Sequence, residues 1–106
     1  MTKYLIKANY NSEGVKGLLK SGGKIRKSVV DKMVKDLGGE LEAFYYAFGD
    51  PDIYGICSFP DTATAVAFAL SINGSGLVSL TTTVLIDPGE IDKAKDISVT
   101  YRTPGN

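Results

Sequence analysis

Gly49-Asp50-Pro51-Asp52 places two carboxylates around a proline, between the aromatic run Phe44-Tyr45-Tyr46-Ala47-Phe48 and the pair Ile53-Tyr54. Neighbouring carboxylates can divide acid and base roles, and a lysine or phenol beside them can carry a proton. Asp52, Tyr46, Tyr54 and Lys7 are therefore the side chains from which proton-transfer chemistry would be assembled. The competing reading is local, because proline and Asx residues are ordinary material for a tight turn, where aspartates hydrogen-bond nearby backbone. That turn is the expectation for Asp50 and Asp52.

The chain has no histidine and one cysteine, Cys57. These absences exclude imidazole acid/base catalysis, Ser-His and Cys-His nucleophile pairs, an internal disulfide and the commonest transition-metal clusters. No cofactor and no metal is implied. Cys57 reads as a small core hydrophobe with no neighbour in sequence to make it a reactive thiolate. Ser21-Gly22-Gly23-Lys24 and Asn73-Gly74-Ser75-Gly76 lack phosphate-loop spacing and read as turns. Lys24-Ile25-Arg26-Lys27, with Lys32 and Lys35, reads as the solvated side of an amphipathic helix. Without interleaved aromatics it is no nucleic-acid footprint.

These residues must be positioned by one domain, residues 1–106, since a chain of 106 residues is long enough for a core and too short for two ordinary domains. The 43% apolar and 23% charged fractions are those of soluble globular chains. No run approaches the ~18–20 apolar residues of a membrane span, and the N-terminal residues lack a signal-peptide core. A cytoplasmic location without membrane partners is expected. Residues 1–39 hold nine Lys/Arg against three Asp/Glu, and residues 40–106 the reverse, three against nine, which reflects one basic helix in a chain of zero net charge.

Period-two alternation predicts strands over Lys3–Tyr10, Glu40–Phe48, Ile53–Phe59 and Leu77–Ile86. Asn11 and Ser12 cap a short helix broken at Ser21-Gly22-Gly23. A longer helix carries Ile25, Val29, Val30, Met33, Val34 and Leu37 to a stop at Gly38-Gly39. Asp61 caps an alanine-rich helix over Thr62–Ile72, and a helical turn near Pro88–Lys95 leads to an extended Ile97–Tyr101 and a fraying tail within about 96–106. The β-α-β-β-α-β order is ferredoxin-like, α+β with a four-stranded antiparallel sheet whose helices cover one face.

Strict alternation puts Leu5, Lys7, Asn9, Glu42, Phe44, Tyr46, Phe48, Tyr54, Ile56, Thr81, Thr83 and Leu85 on the other face. Apolar residues left there in water would form a patch that monomers avoid. The expectation is a homo-oligomer, a dimer first, with Leu5, Phe44, Phe48, Ile56 and Leu85 at the interface. A pocket for a small aromatic or anionic molecule would be lined by Lys7, Asn9, Tyr46, Asp52, Tyr54, Thr81 and Thr83. Lys7 on a central strand should meet Glu42 or an anion. The alternative is a cofactor-independent enzyme, monooxygenase-like or isomerase-like, acting on a small aromatic substrate, with no catalytic residue assigned.

The opening YLIKANY, the turn and strand DLGGELEAFYYAFG, the run DIYGICSFPD and the final GLVSLTTTVL resemble the GYD domain family of small bacterial proteins. In that family the glycine after the aromatic strand is followed closely by Tyr-Asp. Gly49 and Asp52 match, and Pro51 stands where the tyrosine is expected. The resemblance implies a ferredoxin-like fold of the dimeric α/β barrel group and self-association rather than an activity. Relatives in that group include heme-degrading and quinone-forming monooxygenases, which implies a pocket between sheet and helices or between subunits. The heme-ligating histidine is missing from this chain. Rings larger than a dimer are a further implication, through pairing of Ile97–Tyr101 with an edge strand of a neighbour.

Overall fold

Tyr4, Ile6 and Ala8 are buried and alternate with less buried neighbours, so one side of the first strand faces the core. The computed structural model describes Met1–Asn106. Its elements are β1 (Thr2–Tyr10), α1 (Ser12–Ser21), α2 (Gly23–Asp36), β2 (Glu40–Tyr46), β3 (Ile53–Phe59), α3 (Thr62–Asn73), β4 (Val78–Leu85) and α4 (Pro88–Lys95). The sheet order is β2-β3-β1-β4 with every neighbouring pair antiparallel. This is the ferredoxin-like α+β arrangement that the order of predicted elements implies.

Local chemistry sets the element ends. Asn11 accepts from the Gly14 N–H at 2.8 Å, capping α1, and donates to the Gly76 carbonyl at 2.6 Å, which ties the start of α1 to the loop before β4. Gly22 turns the chain from α1 into α2 with φ of 83°, a left-handed value that favours glycine. At Gly39 a Cβ would lie 2.2 Å from the Ser58 carbonyl oxygen, so only glycine lets β2 begin this close to β3. Asp61 caps α3 through the Thr64 N–H at 2.7 Å.

The core lies between the sheet and α2 and α3. Phe59, Phe68, Val34 and Cys57 are its most completely buried side chains, and the Phe59 and Phe68 rings meet with centroids 5.2 Å apart. Burial of such a side chain stabilises by about 1.5–3 kcal/mol.

The C-terminal part behaves differently. Every residue from Ile86 to Asn106 is exposed, and Ile97–Tyr101 pairs with no strand. The radius of gyration is 17.2 Å, against about 13 Å for a compact chain of this length. No helix is long and apolar enough to cross a membrane.

Candidate functional site

Glu42 is an extra residue in β2. Leu41 stands opposite Cys57, yet Ala43 already stands opposite Ile56. Side chains of a strand alternate with a period of two, so one inserted residue exchanges the faces of everything beyond it. The placement of Phe44, Tyr46 and Phe48 on the uncovered face is thereby corrected: they lie on the helix side. Phe44 packs against the core. Tyr46 donates its hydroxyl to the Gly23 carbonyl at 3.1 Å. Phe48, 64% exposed, stacks on the Tyr46 ring with centroids 5.8 Å apart and planes 7° from parallel. Phe44 meets the other side of Tyr46 edge-on at 5.3 Å.

The uncovered face is built in rows across the strands. Tyr45, Tyr54, Lys7 and Thr81 form one row, and Ala43, Ile56, Leu5 and Thr83 the next. Leu85 lies beyond them, opposite Lys3. Lys7, Tyr54 and Thr81 are thus brought together, Thr83 is one row away, and Tyr45 occupies the position expected for Tyr46. Lys7 does not reach Glu42. That carboxylate pairs with Lys3 at 3.2 Å, and Lys7 lies four residues, roughly 13 Å, further along β1. The Lys7 ammonium is exposed and forms no ion pair.

Asn9 and Asp52 join the 47–52 turn to β1. The Asp52 carboxylate accepts from the Tyr10 N–H at 3.0 Å. Its own N–H donates to the Ala8 carbonyl at 3.0 Å and to Asn9 Oδ1 at 3.1 Å. Asn9 Nδ2 donates to Asp50 at 3.3 Å. Both side chains are engaged in backbone organisation, as the turn reading of the aspartates anticipates.

An apolar cavity lies on the other side of the sheet. A cavity of about 60 Å³ runs between the sheet and helices α2 and α3, with an apolar wall that includes Ala8, Met33, Phe44, Phe68, Ile72 and Leu80. Arg26 is the one charged residue lining it. Arg26 and Tyr10 also line an adjoining surface groove, which places them at the outer end of the cavity. The Arg26 side chain takes part in none of the ion pairs of the protein. Beside it, burial pushes the Tyr46 phenol up to about 12, the neighbouring Tyr10 phenol adds to the shift, and Arg26 opposes both. Tyr46 therefore stays protonated and acts as a hydrogen-bond donor near neutral pH.

Arg26 was expected on the solvated side of its helix, with Ile25 inside. The fold reverses this: Arg26 is half-buried and Ile25 is 59% exposed. Positions 26, 30, 33 and 37 share one helical face, so Val30, Met33 and Leu37 carry Arg26 inward with them. That spacing was the available signal for a residue set aside on its charge. Cys57 also lines the cavity, and its thiol is pushed up to about 12 by burial, assisted by the Glu42 charge. No group of three or more Cys, Asp or Glu side chains is arranged to hold a metal ion.

An apolar pocket with an unpaired guanidinium and the Tyr10 phenol at one end can accept a short apolar tail and hold its anionic head by charge-assisted hydrogen bonds. No curated protein gives a significant match to this sequence. The GYD domain model matches residues 4–94, spanning all four strands and the helices that enclose the cavity, and the chain belongs to the GYD domain family.

Proposed function

We propose that this protein is a homo-oligomeric binding protein for a small organic anion, with the apolar part of the ligand in the cavity under the sheet and its charged group at Arg26. The observation that carries this reading is the half-buried Arg26 without a carboxylate partner, at the outer end of an otherwise apolar cavity. A cavity of about 60 Å³ is smaller than the roughly 150 Å³ that takes a benzene ring. The best fit is a short-chain carboxylate. A ring would enter only as Met33, a flexible side chain, gives way.

Self-association is supported by the uncovered sheet face. Leu5 and Ile56 form an aliphatic strip beside the Tyr45 and Tyr54 row, and no helix covers it. A second copy mating there would remove that strip from water.

Native mass spectrometry of the gently purified protein tests both parts. The expected species is a multimer that retains added butyrate, with Arg26→Ala losing about 10- to 100-fold in affinity, the worth of hydrogen bonds to a charged group. Equal retention by both proteins would refute the role of Arg26, and a monomer at micromolar concentration would refute self-association.

A further inference from the structure

Two unpaired backbone segments of this chain have matching lengths. The first is the outer edge of β4. Asn73 accepts from the Leu80 N–H at 2.7 Å and donates to the Leu80 carbonyl at 3.0 Å, so the backbone groups of Leu80 point away from β1 and are closed off there. By the two-residue period, those of Thr82 and Val84 point outward too, and no other segment pairs with them. On the helix side of this half-edge Val84 is 55% and Ile86 63% exposed. The edge has none of the usual protections: no proline, no charge, no bulge.

The second segment is Ile97-Ser98-Val99-Thr100-Tyr101. It alternates apolar and polar residues with high strand preference. Its apolar members are exposed, Val99 at 79%, and Ser98–Tyr101 make no backbone hydrogen bond. Set beside Thr82–Ile86, five residues meet five. Ile97, Val99 and Tyr101 on one side would continue the Thr82, Val84 and Ile86 surface, and Ser98 and Thr100 would continue Thr83 and Leu85 on the other.

The exposed area is large enough to take a partner. A folded chain of 11.3 kDa exposes about 5,700 Å², whereas this one exposes 7314 Å². The excess, about 1,600 Å², is twice the ~800 Å² per partner of a stable interface. We infer that the C-terminal arm, Asp87–Asn106, is an exchange arm: its Ile97–Tyr101 segment adds as a strand to the Thr82–Ile86 edge of a second copy of this chain. The contact is separate from the uncovered sheet face and does not depend on the anion site.

The test compares the full chain with Val99→Pro and Val99→Asp by sedimentation equilibrium and amide hydrogen exchange. Position 99 is free of packing in the single chain, so both variants fold. The expected result is slow exchange at Thr82 and Val84 in the associated protein, lost on dilution, and association weakened about tenfold or more in both variants. Unchanged mass and exchange in the variants would overturn the exchange arm, even if a sheet-face dimer persisted. Protection of Thr82 and Val84 in a monomer would overturn it as well, by placing the arm on its own edge.

Discussion

Asn73 holds Leu80 by both of its backbone groups, accepting its N–H at 2.7 Å and donating to its carbonyl at 3.0 Å. The last residue of α3 thereby stands in for a neighbouring strand and fixes the helix on the sheet. Asn73→Ala leaves both groups of Leu80 without a protein partner. A loss of about 1–2 kcal/mol in urea unfolding is expected, with greater aggregation as the open edge of β4 lengthens. Stability within about 0.3 kcal/mol of the parent would mean that water replaces the carboxamide at no cost.

Asp52 serves the backbone of Tyr10. Asp52→Ala should destabilise by about 1–2 kcal/mol, and Asp52→Asn, which keeps an acceptor oxygen, by clearly less. Chemical denaturation of the pair decides the matter. Equal losses would point to the charge instead of the hydrogen bond.

Phe68 is buried among Phe59 and the strand residues of the core. Phe68→Ala should cost about 3–5 kcal/mol, a large share of the stability of a domain this size. The buried Cys57 thiol, pushed up to about 12, should react with a maleimide at pH 8 only as fast as the protein opens. Labelling of the parent at the rate of a free thiol would show that the cavity wall is open to solvent.

Stability should fall at both ends of the pH scale. Hydrogen bonds from Thr64 hold the Asp61 carboxyl below its ordinary value of 3.8. Its contribution is complete above that value and is lost as pH falls through the lowered one. The Thr64 amide signal should report the loosening of the α3 cap. At the alkaline end the Tyr46 phenol is raised from 10.0 to about 12, so its contribution is complete below 10.0 and is lost as pH rises toward about 12. Absorbance titration should contain a late phenolate component that Tyr46→Phe removes. Its persistence in that variant would assign it to another tyrosine.

The elements themselves were legible in the sequence because their signals are local. Ile53–Phe59 and the break at Gly22 were predictable from alternation, turn residues and glycine. The site was legible only in part. Leu41-Glu42-Ala43-Phe44-Tyr45-Tyr46 has apolar residues in both alternate positions, so the bulge that turns Phe44 and Tyr46 inward leaves no mark on the pattern. Glu42 was the one hint, a charge in register with aromatics. Arg26 was hidden for the opposite reason, since its charge outweighed a spacing that pointed inward. Glu42 goes to Lys3 and leaves Lys7 without an ion pair because strand register is set by pairing between distant segments.

An amide NMR titration with sodium butyrate asks whether Arg26 holds an organic anion at the cavity. The expected result is saturable shifts at Tyr10, Arg26, Met33 and Phe68, their loss in Arg26→Ala, and unmoved signals at Lys7, Tyr54 and Thr81. Saturable shifts confined to the Lys7, Tyr54 and Thr81 row would contradict it and return the binding site to the uncovered face of the sheet.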